Sequence, residues 1–258
     1  MSPSSPQAAP SFKDHFSADA AAYSAQRPTY PAALFDWLAA VAPRRGVAWD
    51  VGCGGGQASL GLAERFRRVH ASDPSAAQLA HAPAHPRIAY VRAQAEACPL
   101  ADRTLDLILA AQAAHWFDLP AFYAQVARAA RPGALLALVS YGPIEGEGPI
   151  GDALARVYHG RLHDHWPPER AHVEDGYRRL PFPYPEIAAP ALAIAVQWPL
   201  ERLVGYIGTW SATAAFRRAT GEDPLPAVRA TLSAAWPQPE TPQPFRFPLA
   251  IRAGRAPA

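Results

Sequence analysis

The 258-residue chain is half hydrophobic and nearly charge-balanced, with 24 basic against 22 acidic residues and no run of like charge; it can fill one core, since single α/β domains reach roughly 250 residues, and it lacks the electrostatic footprint of a nucleic-acid binder. Cys53 and Cys98 are the two cysteines, far apart and with no second Cys or His at metal-ligand spacing, so no metal site is legible and a reducing, cytoplasmic compartment is expected. The N-terminal MSPSSPQAAPSF has neither a basic nor an apolar leader region, and no later run approaches the ~18 apolar residues of a membrane span, which predicts a protein without a membrane partner.

Residues 1–10, rich in Ser, Pro and Ala without periodicity, read as a disordered lead before a single domain over 11–258. In PAALFDWLAAV, Pro31 suits a first helical turn and Leu34, Trp37, Leu38 and Val41 share one helical face. Val47–Val51 is a short apolar strand ending at a glycine turn, and SLGLAERF continues as a helix with Leu62 and Phe66 four apart. The pattern repeats with a strand at Val69–Ser72, a helix at Ala76–His81 and a strand at Ile88–Val91. Leu105–Ala110 is a fourth strand, Leu119–Ala130 a helix, and Ala134–Tyr141 a fifth strand after the Arg131-Pro132-Gly133 turn. Such alternation predicts an α/β fold with a parallel sheet covered on both faces.

Between 142 and 185 the alternation stops. This Pro-rich stretch reads as a helical insertion beside the active site; its His159, His163, His165 and His172 read as polar surface rather than metal ligands, because His163 and His165 are two apart and no carboxylate cluster accompanies them. Glu201–Phe216 is expected to be helical, and Phe245–Ile251 alternates as a strand with one buried face that closes the sheet at its end.

Ligands of a parallel α/β sheet sit outside the carboxyl ends of its strands, so the turns there carry the chemistry. In DVGCGGG, Gly52, Gly54 and Gly56 permit backbone angles closed to other residues and a close approach to a ligand, whose space a side chain would fill. The plainer alternative is a tight strand-to-helix connection. The dinucleotide pattern G-x-G-x-x-G would place Gly at 57, where this chain has Gln57. Asp73, in HASDPS, can accept two hydrogen bonds from vicinal ribose hydroxyls or can cap the helix beginning SAAQLA. Gln94-Ala95-Glu96 is placed to read an adenine edge or to be a solvated loop.

In that order and spacing, DVGCGGGQ, SDPS, QAEACPL and LDLILAAQAAHWFD resemble the successive motifs of S-adenosylmethionine-dependent methyltransferases of the methyltransferase-11 type. AAYSAQRPTYP and WPLERLVGYIGTWSA are further similar to the small-molecule branch that includes trans-aconitate methyltransferase-like proteins, and the likeness runs from Phe12 to Arg252. One departure is Gln94, where many relatives have Asp; an amide oxygen still accepts from an adenine amino group. The resemblance implies a Rossmann-like, mostly parallel seven-stranded sheet and S-adenosyl-L-methionine as cofactor. It implies that Asp50, Gly52 and Gly54 hold the methionine part, Asp73 the ribose, and Gln94, Ala95 and Glu96 the adenine, with Gln57 and Gln112 also at the cofactor. Tyr23, Arg27 and Tyr30 are similar to a lid, with Arg27 facing the cofactor carboxylate.

By the same resemblance, the turn from Gln112 to Phe117 faces the sulfonium and the acceptor, which makes His115 and Trp116 the candidate catalytic residues. Methyl transfer is an in-line displacement governed by positioning. His115 could remove a proton or orient an acceptor oxygen, because histidine titrates near neutral pH, or it could only pack with Trp116. Tyr141, Tyr206 and Trp210 are candidate aromatic walls. The function expected is methylation of a small molecule, with carboxylates among the candidate acceptors, although Arg27, Arg128 and Arg202 cannot be told apart as anion ligands. Two other readings are a catalytically silent cofactor-binding protein serving a partner and an NAD-dependent oxidoreductase, the latter disfavoured by Gln57 and the terminal strand. Nothing in the sequence speaks to oligomeric state.

Overall fold

A computed structural model describes residues 27–257, so the predicted lead at 1–10 and Tyr23 lie outside the described residues. Five parallel strands, β1 (Val47–Val51), β2 (Arg68–Asp73), β3 (Ile88–Arg92), β4 (Leu105–Ala111) and β5 (Ala130–Tyr141), lie side by side in the order β3-β2-β1-β4-β5. Their side chains alternate between two cores. Trp49, Ile108, Leu136 and Leu138 pack against Phe122 and Val126 on one face. Ala48, Leu107, Leu109 and Leu135 pack against Leu34, Leu38 and Leu62 on the other. A sheet buried on both faces is why β4 reads as an apolar run, interrupted once by the buried Asp106, rather than an alternation.

Helix α1 (Ala32–Val41) precedes the sheet, and α2 (Gln57–Ala63), α3 (Ala76–Ala80) and α4 (Leu119–Ala129) follow β1, β2 and β4. The face that α1 buries is Leu34, Phe35, Leu38 and Ala39, rotated from the expected stripe that included Trp37 and Val41, which are only half-buried. The rotation lets the Phe35 ring occupy the space left by the missing side chain of Gly61 on α2.

The last strand, β8 (Gln243–Arg255), does not close the sheet as expected; it lies inside it. Its second half pairs antiparallel with β5, from Leu249 opposite Tyr141 to Arg255 opposite Leu135. Its first half pairs antiparallel with β7 (Ala193–Trp198), which forms the edge. The two-residue β6 (Glu145–Gly146) also pairs antiparallel with the first half of β8, which makes a sheet of eight strands. Phe245 and Phe247 face a third core, and the period-two pattern that revealed the strand could not reveal its neighbours.

That third core belongs to the insertion and the C-terminal helices. The insertion carries α5 (Gly148–His159) and the short α6 (Arg170–Glu174). Leu154, Val157, Tyr158 and Leu162 are buried there among residues of α7 (Leu200–Gly208), α8 (Ser211–Thr220) and α9 (Leu225–Ser233). Of the four histidines expected on a polar surface, His159 and His163 are exposed, whereas His165, packed on Phe216, and His172 are half-buried. The single helix expected over Glu201–Phe216 is two, because Trp210 adopts an extended backbone (φ −69°, ψ 141°) at the start of α8. Its buried ring meets Tyr206, Tyr158 and Trp166. No helix among the described residues is long and apolar enough to cross a membrane.

Candidate active site

From β1 the chain moves outward through β2 and β3, then returns to place β4 on the other side of β1. That reversal opens a crevice at the carboxyl ends of β1 and β4, the place where open α/β sheets take their ligands. The glycine turn after β1 lies there. Gly52 and Cys53 both donate their N–H to the Ser72 carbonyl, at 2.8 and 3.0 Å, which folds the turn over the end of β2. Gly52 has φ +67°, and a Cβ on it would lie 2.6 Å from the Ala113 Cβ; on Gly56, at φ +79°, a Cβ would lie 2.5 Å from the Tyr90 hydroxyl. At both positions the added atom strikes the protein's own neighbouring elements, a tighter constraint than the expected obstruction of ligand space.

Two carboxylates flank the turn. Asp50 is buried; its Oδ2 accepts from the Ser59 hydroxyl at 2.6 Å, and its Oδ1 has no hydrogen-bond partner among the described residues. Burial pushes its pKa up to about 7, with the charge of Asp73 adding to the rise and the Ser59 hydrogen bond opposing it. Asp73 ties the turn to β2, accepting from the Gly54 N–H at 2.9 Å and the Ser75 N–H at 2.8 Å. The cap of α3 is Ser75, whose hydroxyl accepts from the Gln78 N–H, so the capping alternative for Asp73 is replaced by a bridging one.

Arg27, Tyr30, Asp50, Gly52, Gly54, Gln57 and Gln112 line one cleft together. A second cleft is lined by Arg27, Gln112, His115, Trp116, Trp166, Arg170 and Trp210, so Arg27 and Gln112 belong to both. Gln112 sits at φ +57°, and β5 holds it there: its N–H donates to the Val139 carbonyl at 2.7 Å and its Oε1 accepts from the Tyr141 N–H at 2.8 Å. Arg27 donates to the Tyr141 hydroxyl at 2.7 Å and the Thr209 carbonyl at 3.3 Å, with its guanidinium over the Tyr206 ring. Among the three arginines weighed from sequence, Arg27 alone lines these two clefts. Arg128 is bound to Asp102, Gln125 and the Leu100 carbonyl, and Arg202 stacks on Trp198.

Gln94, Ala95 and Glu96 lie outside both linings. Their loop reaches the same edge, since the Ala93 N–H donates to the Asp73 carbonyl at 3.2 Å. The Glu96 carboxylate, however, accepts from the Asp118 N–H at 2.8 Å and braces the start of α4.

His115 Nδ1 lies 2.7 Å from the Tyr177 hydroxyl, with the Trp116 ring 4.7 Å away. Burial first, then the charges of Arg170, His172 and Arg27, push its pKa down to about 3, which corrects the expectation of titration near neutrality: the imidazole is uncharged at physiological pH. Tyr177, Arg170 and Trp166 were not found from sequence, because their segment has no periodicity. The Asp175-Gly176 pair does signal a turn, but not that consecutive left-handed residues, Gly176 and Tyr177 both at φ +64°, send the tyrosine inward.

A methyltransferase-domain family model matches residues 49–138, which span the glycine turn, Asp73 and His115. A Dictyostelium discoideum protein that carries a methyltransferase name is 32% identical over 229 residues, covering 87% of each chain. A solved structure from Anaeromyxobacter dehalogenans, assigned as a type II methyltransferase, is 54% identical, covers 90% of this chain and 99% of its own, and superposes with a TM-score of 0.84. The fold is shared with a Haemonchus contortus phosphoethanolamine N-methyltransferase bound to phosphomonomethylethanolamine and S-adenosylhomocysteine, at 14% identity and a TM-score of 0.50, over 97% of this chain and 61% of that one. With two clefts meeting at the reversal of strand order, the chain belongs to the class I S-adenosylmethionine-dependent methyltransferases and uses S-adenosyl-L-methionine as its cofactor.

Proposed function

We propose that this enzyme methylates a small carboxylate held in the second cleft, with the cofactor in the first. The observation that carries the reading is the lining of the second cleft: two guanidinium groups, Arg27 and Arg170, among aromatic rings and with no carboxylate. Arg170 is rigid. It stacks over Trp166 at 4.6 Å and donates through Nε to the Tyr158 hydroxyl at 3.0 Å, while its terminal nitrogens have no protein partner among the described residues. Glu174, 3.8 Å from Nε, offsets part of its charge from the far side but does not line the cleft. A rigid arginine fork is suited to a planar anion.

The first cleft fits the cofactor by the chemistry of its donors. Asp50 offers a buried carboxylate oxygen without a hydrogen-bond partner among the described residues, suited to the ammonium of the methionine part, beside Gly52 and Gly54 in the same cleft lining. Arg27 would take the cofactor carboxylate, Asp73 the ribose hydroxyls, and Gln94 and Ala95 the adenine edge; Tyr30 and Tyr23 would cover it, and Gln57 and Gln112 would bound it. When bound, S-adenosylmethionine supplies an electrophilic methyl group on a sulfonium. A carboxylate attacks without losing a proton, so no general base is required, which agrees with a His115 held neutral and weakly basic. His115 and Trp116 then hold the acceptor in line. Both cysteines are free thiols, which supports a reducing, cytoplasmic setting.

The test is transfer of labelled methyl to panels of small carboxylic acids, phenols and amines, by the wild type and by Asp73→Ala. Methyl esters from the wild type and no product from the variant are expected. Product from phenols or amines alone would refute a carboxylate acceptor, and cofactor binding without any product would favour the catalytically silent reading.

A further inference from the structure

We propose that Tyr177, delivered by the insertion, is a positioning residue that fixes His115 in the tautomer protonated at Nε2, so that His115 presents a hydrogen-bond donor to the acceptor cleft rather than a base. The inference rests on the proposed acceptor cleft for its functional meaning, and on the geometry of two side chains for its substance.

The Tyr177 side chain is wholly buried, and its hydroxyl has one side-chain partner among the described residues, His115 Nδ1 at 2.7 Å. The hydroxyl proton therefore has a single available acceptor, the Nδ1 lone pair; were Nδ1 protonated, two donors would face each other or the phenol proton would be buried unpaired. With Nδ1 accepting, a neutral imidazole carries its proton on Nε2. Protonation of both nitrogens is opposed first by burial and then by the neighbouring Arg170, His172 and Arg27. Nε2 has no hydrogen-bond partner among the described residues and is not sealed from solvent by them, in a side chain that lines the proposed acceptor cleft.

The backbone is shaped for this contact. Tyr177 holds φ +64°, an unfavourable angle for an aromatic residue, directly after Gly176 at φ +64°. Tyr177 N–H donates to the His172 carbonyl at 2.7 Å, and Arg252 donates to the Tyr177 carbonyl at 2.7 Å and the Leu180 carbonyl at 2.6 Å. The strained turn is thus pinned from both sides, as expected where the surrounding structure over-determines an unfavourable angle.

The experiment is nitrogen-15 NMR of histidine-labelled full-length protein, with the His115 resonances identified by their loss in His115→Gln, for the wild type and Tyr177→Phe. The wild type should show an unprotonated Nδ1 and a protonated Nε2 unchanged from pH 5 to 8, and Tyr177→Phe a mixture of tautomers. A protonated Nδ1 in the wild type, or an unchanged spectrum in Tyr177→Phe, overturns the proposal. Should Tyr177→Phe fail to fold, the wild-type spectrum alone decides the tautomer. These readouts require no turnover, so they stand apart from the identity of the acceptor. With an accepted acid in hand, Tyr177→Phe should raise its KM roughly tenfold with cofactor Kd unchanged. His115→Gln, which keeps an N–H donor, should retain more activity than His115→Leu; equal loss in both would also overturn the donor assignment.

Discussion

Replacing Asp50 with Asn should make the cofactor-free protein more stable and its cofactor binding weaker. Burial raises the Asp50 pKa from 3.8 to about 7. Between those values the folded chain keeps a proton that the unfolded chain has released, so the contribution of Asp50 to stability falls as pH rises from about 4 to about 7 and stays low above that. At ~1.4 kcal/mol per pH unit, the cost at pH 8 is on the order of 4 kcal/mol. Asn avoids that cost but places an amide N–H₂ or oxygen where Oδ1 has no partner, giving back about 1–3 kcal/mol. A net gain of about 1–3 kcal/mol at pH 8 corresponds to a rise in Tm of roughly 2–10 °C. His115 opposes Asp50 in the wild type. With its pKa pushed down from 6.5 to about 3, the unfolded chain binds a proton that the folded chain refuses, so its contribution falls as pH drops below about 6.5. The informative quantity is therefore the difference between variant and wild type, which should rise from a deficit of about 1–3 kcal/mol at pH 4, where only the amide cost remains, to a net gain of about 1–3 kcal/mol on a plateau above pH 7. Urea unfolding from pH 4 to 8, with isothermal titration of S-adenosylmethionine at pH 8, measures both halves. Loss of one charge-assisted contact predicts about 100-fold weaker binding. A variant less stable than the wild type at pH 8, a stability difference independent of pH, or an unchanged cofactor Kd would refute the reasoning.

Gly52→Ala forces a side chain onto a residue at φ +67° and against Ala113, and should cost about 2–4 kcal/mol in urea unfolding and abolish detectable cofactor binding by titration. Arg170→Gln should leave cofactor Kd unchanged while raising the KM for an accepted carboxylate roughly 10- to 100-fold in steady-state kinetics, the worth of one charged hydrogen-bond donor. Asp106 is buried on β4, where its Oδ2 accepts from the Val47 N–H at 2.8 Å with Arg44 and Arg131 at 3.5 and 3.7 Å from Oδ1. Asp106→Ala should lower stability by about 2–4 kcal/mol by stranding that N–H, with kcat and KM unaffected when assayed well below the Tm.

The parallel core was legible because its determinants are local. Val47–Val51 and Leu105–Ala111 lie in a sheet covered on both faces and so read as mainly apolar runs, each carrying one buried carboxylate, Asp50 and Asp106, while the glycine turn between β1 and α2 announces itself through residues adjacent in the chain. For the same reason Asp50, Gly52, Gly54 and Asp73 could be singled out before any contact was known, each standing at a strand end. Pattern alone did less well where one helix face had to be chosen, as with Trp37 against Phe35 on α1, since the choice depends on the space beside Gly61.

By itself, then, the sequence determined the five parallel strands, most of the helices between them and the glycine turn at the crevice of the sheet, because hydrophobic period and glycine placement act within a few residues. Only the tertiary structure decided that β8 runs inside the sheet, that Tyr177 meets His115 across 62 positions of chain, that Arg170 stands over Trp166 in the second cleft, and that burial holds the His115 pKa low. Burial, partner and charge at those places are set by segments distant in sequence, and no local pattern encodes what will arrive beside them.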